Sequence, residues 1–440
     1  MNTIKELCGF LWEIEKEYDL LDWETKGIHY WEINRVKIYY ELATKLGIMD
    51  SPIKLRSRKK SKISTIQKIL KNIINFPFFS TKKETLVFTH PRSKFVDNRY
   101  IDIYTKDIID DLSNNKIDFL EMEASYNGKY LRNNNKRKRY IDSVGYFVRL
   151  MKLLDRRVVY DKKVSIINKI IFKKTGVDLR LEERFSNEIK KSIYTYYYFK
   201  ALSFFIKPKK VYIVTAYFNK EIIRAFKEQG AKIIEIQHGV VNKYHLGYSY
   251  PFNNQNKRYQ PNIFLTWNKT WKENFDYRVE KVDIMKESFL SNGLKKYKDV
   301  QKKQKQMVVL SQTAISNEIA EKIYKNIDFF KDFQIKYKLH PHEYETWEQN
   351  RYLKKLSNLN NFEILKDVDL HFLLAVSEYQ LGVFSTAIYE GLEFGCKTFL
   401  LKATGIEYME DIIEKRDMVL KNDFIYCEAK NVGEKYEDVN

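Results

Sequence analysis

Residues 379–401 read Tyr379-Gln-Leu-Gly-Val-Phe-Ser-Thr-Ala-Ile-Tyr-Glu-Gly-Leu-Glu-Phe-Gly-Cys-Lys-Thr-Phe-Leu-Leu401. The short run 379–384 predicts a buried strand, residues 387–394 predict a helix, and residues 397–401 predict a second strand. A strand, a helix and a strand in close succession are typical of a βαβ unit, in which the two strands run parallel.

The same alternation extends upstream of this stretch. Strands are predicted at residues 307–310, 333–339 and 362–365, and helices at 315–330, 343–356 and 370–376. Regular alternation predicts a doubly wound parallel sheet, in which ligands bind at the carboxyl ends of the strands. The polar residues 295–306, rich in Lys and Gln, are predicted to be a surface segment at the start of this lobe.

A second βαβ unit is predicted earlier in the chain. Its parts are the strands 211–215 and 232–236 and the helix 220–229; further strands are predicted at 85–89 and 100–104, and mainly helical structure at 4–47 and 140–206. A chain of 440 residues fits two domains better than one core. The predicted class is therefore α/β with two Rossmann-like lobes: a helical extension over 1–80, a first lobe over 81–260 and a second lobe over 261–440.

The net charge of +20 favours anionic partners, such as nucleic acid, acidic lipid headgroups or the phosphates of a nucleotide sugar. No nucleic-acid motif is present, and the 78 basic residues are mixed with 58 acidic ones, so nucleic acid is not the expected partner. No apolar run approaches the roughly 20 residues of a membrane helix. Without a signal-peptide core at the N-terminus, or paired spacing of its cysteines, the chain is expected to be cytoplasmic.

One basic segment allows two interpretations. Residues 54–72 contain eight Lys or Arg and no acidic residue, and apolar residues recur at helical spacing over 63–74. Such a helix can lie on an anionic membrane, which would place the protein peripherally on the inner face of the cytoplasmic membrane. The alternative is a core helix whose polar face is solvated.

Ser385 and Thr386 come where a predicted strand ends and a helix begins. Hydroxyls and free backbone N–H groups at a helix N-terminus can bind an anion, although a plain N-cap is the commoner role of such residues. Glu390, on the same helix, is a further candidate for binding substrate.

His340 follows another predicted strand, and Pro341 favours an extended backbone at His340. Its imidazole can donate a hydrogen bond to a phosphate oxygen and offset charge on a departing nucleotide. The alternatives are a bond to a loop carbonyl, or that His342 has the role instead. Lys338, on the strand itself, is a candidate for binding substrate.

His238 and Gly239 follow a strand of the first lobe. Glycine lets the backbone approach a ligand closely, and a histidine with a pKa near 6.5 suits proton abstraction from an acceptor hydroxyl. Glu235 is a weak partner for His238, since an odd offset on a strand points the side chain the other way. The polar and aromatic residues nearby suit sugar binding, or form a packed loop; the candidates are Gln237, Tyr244 and His245.

These segments together resemble proteins of bacterial capsule and O-antigen polysaccharide biosynthesis. The residues that carry the resemblance are Glu235-Ile-Gln-His-Gly239, Lys338-Leu-His-Pro341 and Gly382-Val-Phe-Ser-Thr-Ala-Ile-Tyr-Glu390. Such proteins look like GT-B glycosyltransferases, which have two Rossmann-type lobes and a central cleft. The His-Pro pair followed by a Ser/Thr pair is similar to bacterial sialyltransferases and Kdo transferases, which use CMP-activated sugars.

The resemblance implies that His340, Ser385 and Thr386 contact the donor phosphate, with His238 and His340 as the catalytic residues. The expected reaction is an inverting, metal-independent transfer to a polysaccharide or glycolipid acceptor, with no cofactor beyond the nucleotide sugar. A His-Gly pair with a His-Pro pair also resembles the teichoic-acid glycerophosphotransferases, which use CDP-glycerol. Polyol-phosphate transfer is therefore one alternative, and a non-catalytic basic protein that binds nucleic acid or glycan is another.

Overall fold

A computed structural model describes residues 1–49, 62–91, 93–96, 99–126, 129–130, 132, 135–250, 257–273, 277–410, 413, 419–421 and 424–427. Residues 54–61 of the predicted basic segment lie outside these ranges. Within the described part of the chain, no helix is both long enough and apolar enough to cross a membrane.

The N-terminal part and the first lobe alternate helices with strands. They contain, in chain order, α1 (Ile4–Glu17), β1 (Glu24–Thr25), β2 (Ile28–His29), α2 (Tyr30–Lys45), α3 (Lys62–Ile74), β3 (Thr85–Phe88), β4 (Lys94–Val96), β5 (Arg99–Ile101), α4 (Lys106–Asn114), β6 (Phe119–Glu123), β7 (Lys138–Tyr140), α5 (Ser143–Leu154), α6 (Lys162–Thr175), α7 (Leu181–Ile206), β8 (Lys210–Val214), α8 (Lys220–Lys227), β9 (Lys232–Ile236), β10 (Ile263–Thr266), α9 (Lys269–Glu273) and β11 (Lys281–Ile284). Helices α1 and α2 share one buried core with α6 and the first half of α7.

The first sheet has seven strands in the order β11-β10-β9-β8-β3-β6-β7, all parallel. Strands β6 and β7 lie on one side of β3, and β8 to β11 lie on the other. The chain therefore reverses its direction of winding between β3 and β8. Ligands bind at such a switch point in doubly wound sheets. Strands β10 and β11 belong to this sheet although they follow residue 260, so the first lobe extends beyond the boundary expected from sequence.

The second lobe repeats the plan. Its elements are α10 (Phe289–Lys296), β12 (Lys303–Leu310), α11 (Ser316–Lys325), α12 (Ile327–Phe330), β13 (Gln334–Lys338), α13 (Arg351–Leu356), β14 (Phe362–Leu365), α14 (Leu370–Val376), β15 (Ser377–Gly382), α15 (Thr386–Glu393), β16 (Lys397–Leu401), β17 (Val419–Lys421) and β18 (Phe424–Cys427). Five parallel strands run in the order β14-β13-β12-β15-β16, and β18 and β17 extend the sheet antiparallel. The switch point lies between β12 and β15.

Several elements differ from those predicted. The expected helix over 343–356 is reduced to two short turns and α13, because the Asn350 side chain accepts the backbone N–H groups of Tyr352 and Leu353 and so starts a new helix. Residues 303–306 already belong to β12, although 303–305 are exposed as the expected surface segment would be. Strand β5, which overlaps the predicted strand 100–104, pairs with β4 outside the large sheets.

The carboxyl ends of the two sheets face each other. The Val240 backbone N–H, beyond β9, donates to Thr386 Oγ1 of the second lobe at 3.3 Å, and the Trp271 and Tyr389 rings lie 4.6 Å apart. At the opposite edge, Tyr126 Oη lies 3.3 Å from a ring nitrogen of His342. Two Rossmann-like lobes that close on a central cleft confirm the predicted α/β, GT-B-like class.

Candidate functional site

His238 lies on the cleft side of the first sheet, two residues after β9, and is half-buried. Both ring nitrogens have tyrosine partners: Nε2 lies 3.2 Å from Tyr217 Oη and Nδ1 lies 3.4 Å from Tyr248 Oη. Tyr217 follows β8, which places it beside the switch point. The histidine follows a strand, as the sequence predicted, while its tyrosine partners come from loops.

Glu235 is joined to His238 through a tyrosine. Tyr248 Oη donates to Glu235 Oε1 at 2.7 Å, and the Ala216 backbone N–H donates to the same oxygen at 2.8 Å. Because the Tyr248 hydroxyl donates its hydrogen to the Glu235 carboxylate, its oxygen can only accept a hydrogen bond from Nδ1–H of His238. The unprotonated nitrogen of the His238 ring is then Nε2. The strand offset does point Glu235 away from His238, but the loop after residue 239 returns and bridges the two.

Burial shifts the pKa values of both groups. It raises the pKa of Glu235, which is fully enclosed, to about 7. Burial, with smaller effects of His245 and His90, lowers the pKa of His238 to about 3. Desolvation disfavours the charged form of each group, so at pH 7 His238 is neutral and Glu235 is about half ionised.

Two further histidines complete a strand-end cluster with His238. The His245 ring centroid lies 4.9 Å from that of Tyr248, and burial lowers the pKa of His245 to about 4. His90, beyond β3, lies 5.2 Å from the Tyr104 ring. His245 was a candidate from the sequence and His90 was not. The His90-Pro91 pair directly after a buried strand could have indicated a histidine at this edge of the sheet.

The loop that carries Tyr248 is held by the N-terminal helices. Arg35 Nη1 donates to the Leu246 and Ser249 carbonyls at 2.6 and 3.0 Å, while its other nitrogens bond to the Glu15 carboxylate. Arg35 and Glu15 are both fully buried. A second buried bond joins Lys220 to Glu32 at 2.7 Å. The N-terminal extension therefore positions the first-lobe cluster.

Three of the substrate-binding candidates in this lobe have structural partners instead. Gln237 is fully buried and accepts the Trp267 backbone N–H at 3.0 Å, which ties β9 to β10. The buried Tyr244 donates to Glu410 at 3.1 Å. The position that a Cβ on Gly239 would take lies 3.5 Å from Thr386 Oγ1, so the second lobe occupies the space beside this glycine.

His340 lies beside the switch point of the second sheet. Its Nδ1 accepts the His342 backbone N–H at 3.3 Å and lies 2.9 Å from Thr313 Oγ1, beyond β12. Because a backbone N–H can only donate, Nδ1 is unprotonated and the neutral ring carries its proton on Nε2. The imidazole is thereby set as a hydrogen-bond donor.

The Ser385 and Thr386 hydroxyls have different partners. Ser385 Oγ accepts a hydrogen bond from the Ala387 backbone N–H at 3.2 Å. Ser385 therefore caps α15, which is the commoner role of a serine at this position. Thr386 Oγ1 accepts from the backbone of the first lobe. The N-terminus of α15, with its positive end, faces the cleft beside both residues.

Lys338 and Glu390 are engaged within the second lobe. The Lys338 ammonium donates to Tyr344 Oη at 3.0 Å and to the Leu339 carbonyl at 3.2 Å. Glu390 Oε2 lies 2.9 Å from Nε2 of the buried His371. Among the described residues, no group of three or more His, Cys, Asp and Glu side chains is arranged to hold a metal ion.

The chain shows only low similarity to known proteins. No family model matches the chain. An uncharacterised protein of Methanocaldococcus jannaschii is 28% identical over 173 residues, which are 37% of this chain and 30% of that protein's length. The chain thus spans well under half of this curated relative.

Among solved structures, the UDP-GlcNAc 2-epimerase of M. jannaschii in complex with UDP-GlcNAc and UDP is similar with a TM-score of 0.43 and 12% identity, over 75% of this chain and 86% of the epimerase. The UDP-GlcNAc 2-epimerase of Neisseria meningitidis bound to UDP-GlcNAc gives 0.41 and 14%, over 75% and 84%. A spinosyn rhamnosyltransferase complexed with spinosyn aglycone gives 0.38 and 9%, over 75% and 84%. Likenesses at these TM-scores carry no argument about the activity of this chain.

Proposed function

We propose that the protein is a glycosyltransferase that moves a sugar from a nucleotide-activated donor to a surface polysaccharide or glycolipid acceptor. One observation carries the proposal: a histidine whose ring can accept a proton lies at a strand end of the first lobe, and a histidine set to donate a hydrogen bond lies at a strand end of the second. His238 lies on the first-lobe side and His340 on the second. Transfer from a nucleotide sugar requires a base at the acceptor and positive polarity at the leaving phosphate.

In this proposal the donor phosphate binds at the switch point of the second lobe. There His340 Nε2–H and the N-terminus of α15 offer hydrogen-bond donors to an anion. Ser385 is part of the same helix end, and Thr386 lies where the lobes touch. This arrangement supports the second lobe as the donor lobe and the first as the acceptor lobe.

The acceptor hydroxyl is placed at Nε2 of His238, where it would take the position of Tyr217 Oη. The pKa of about 3 keeps this imidazole unprotonated at neutral pH but makes it a weak base, so the proposal requires the ionised Glu235 to raise its basicity through Tyr248. When His238 takes the proton of the acceptor hydroxyl, its ring becomes a positively charged imidazolium. The hydrogen bonds through Tyr248 link this ring to Glu235, whose ionised form stabilises the positive charge. Glu235 therefore acts as a positioning residue for the base.

A CMP-activated donor, inversion at the sugar and an acceptor in capsule or lipopolysaccharide synthesis follow from the sequence resemblance and remain predictions. A thermal-shift screen against CMP, CDP, UDP and GDP tests the proposal directly, because a ligand that binds only the native state raises its stability by mass action. Stabilisation by CMP is the expected result. Stabilisation by CDP, with turnover of CDP-glycerol, would favour polyol-phosphate transfer, and no response to any nucleotide would contradict the proposal.

A further inference from the structure

Helix α5 exposes an apolar stripe. Leu150, Leu153 and Leu154 are 55%, 76% and 69% exposed, and they recur at the spacing of one helix face. The side of the helix that carries Val148 is buried, and the neighbouring Phe147 ring lies 5.6 Å from that of Tyr198 on α7. The stripe is thus the outer side of a helix whose inner side is already used.

Helix α3 exposes a second stripe. Ile69, Leu70, Ile73 and Ile74 are between 38% and 73% exposed, while Asn72 and Asn75 are buried towards the lobe. Asn72 Nδ2 donates to Tyr130 Oη at 2.8 Å, and the Asn75 carbonyl accepts the Tyr140 backbone N–H at 2.9 Å. The helix therefore turns its polar groups inward and its isoleucines outward, the reverse of a core helix.

The end of α7 and the turn after α3 carry further exposed apolar side chains. Phe204 and Phe205 are 60% and 57% exposed, and the turn carries Phe79 at 68%. The Phe78 ring lies 5.6 Å from Phe205 and 5.3 Å from Tyr198, on which Phe147 of α5 also packs. We call the exposed apolar side chains of α3, α5, residue 79 and the end of α7 the apolar patch. Exposed apolar surface bordered by polar residues marks interaction sites.

Basic residues border the apolar patch. Lys71 is exposed on α3, which contains no acidic residue, and Arg149 and Arg156 are exposed on or beside α5. The nearby carboxylate of Asp155 is already paired with Arg157 at 2.8 Å. Apolar side chains flanked by Lys and Arg fit a surface of acyl chains and anionic headgroups.

We propose that the apolar patch docks the first lobe on an anionic lipid membrane. The sequence suggested such docking for residues 54–74; the structure adds α5, α7 and the turn between α3 and β3, and the inference is independent of the proposed transfer reaction. A second copy of the chain is the poorer occupant, since two patches meeting face to face would bring Lys71, Arg149 and Arg156 of both copies together.

Vesicle sedimentation tests the proposal with the full-length protein. The parent protein is expected to sediment with an equal mixture of phosphatidylcholine and phosphatidylserine, and only weakly with phosphatidylcholine alone. Leu153→Ser combined with Leu154→Ser should weaken binding about tenfold to a hundredfold through lost apolar contact. Lys71→Glu combined with Arg149→Glu should weaken it about thirtyfold or more, since two attractive charges are lost and two repulsive ones are added. All four positions are exposed, so unchanged thermal transitions are expected.

The matched control is Ile166→Ser combined with Phe172→Ser. Both residues are exposed on α6, which packs at the other end of α7, and the control should bind vesicles like the parent. Absence of binding by the parent, equal binding to neutral vesicles, or equal loss in patch and control variants would overturn the proposal. So would a dimeric parent that becomes monomeric on Leu153→Ser with Leu154→Ser, because a second copy would then cover the patch.

Discussion

Glu235 is 1% exposed, and its carboxyl group accepts hydrogen bonds from two neutral donors, the Tyr248 hydroxyl and the Ala216 backbone N–H. Two neutral donors stabilise a carboxylate less than water does, so burial dominates and the pKa rises. Such a group holds a proton at acidic pH and releases it near neutrality. It can therefore respond to the charge of His238 within the pH range in which a base works.

Glu235→Gln tests this coupling through stability. The ordinary pKa of about 4.5 rises to about 7 in the folded protein, so between these values the folded state holds a proton that the unfolded chain has released. The parent's stability should then fall as pH rises from 5 to 8, by about 3 kcal/mol from this group. The Gln variant, which keeps both hydrogen bonds, should lack this loss. Urea unfolding at the two pH values measures the difference; parallel curves for parent and variant would show that the pKa of Glu235 is ordinary.

For single residues, the sequence predicted where a candidate side chain lies in the fold better than it predicted its hydrogen-bond partners. His238, His340 and Ser385 were found because each follows a strand, and strand ends can be recognised from hydrophobic runs. The link from Glu235 to His238 could not be found, because it depends on the path of a loop that returns Tyr248 to the strand. The stacking of Tyr244 on Trp12, at a ring separation of 6.1 Å, could not be found either, because the two residues are far apart in the sequence.

Among the elements, α15 serves two purposes that one substitution can separate. Ser385 caps the helix, and the same helix end is the proposed phosphate site. Aspartate caps helices as well as serine does but repels an anion. Ser385→Asp is therefore expected to keep the thermal transition of the parent and to lose nucleotide affinity, by about tenfold or more.

Calorimetric titration with the nucleotide that gives the largest thermal shift measures that loss. Ser316→Asp, at the start of α11 in the same lobe, is a matched control and should bind nucleotide like the parent. If Ser385→Asp binds normally, Ser385 is a cap and nothing more.

Strands were predicted well where apolar residues form a run or alternate regularly. Strands β12, β13 and β16 were found in this way, but β6 was missed because Glu121 and Glu123 interrupt its pattern. Glu123 is buried with Arg132 at 3.2 Å and Lys138 at 3.7 Å, and these partners come from a later segment. A strand that buries charge through distant partners carries no local signal of burial.

Over the whole molecule, the two lobes divide the proposed reaction between them. His238→Ala should leave nucleotide affinity nearly intact and lower turnover by about 10²–10⁴, the usual effect of losing a general base. His340→Ala should weaken nucleotide binding about tenfold to a hundredfold, because a donor to a charged phosphate is lost. Calorimetry beside a turnover assay separates the two effects, and His342→Ala, which keeps the backbone N–H to His340, is the control. Loss of nucleotide binding in a folded His238→Ala protein would contradict the assignment of the base.

The bond from Arg35 to the Leu246 carbonyl also has a consequence for synthesis of the chain, since it joins residues 211 positions apart. At a translation rate of about 5–20 residues per second, Arg35 emerges from the ribosome roughly 10–40 s before its partner exists. During that interval α1 and α2 have a charged pair and an apolar face with no lobe to cover them. The N-terminal helices are thus the part of the nascent chain that a co-translational chaperone would engage first and release last.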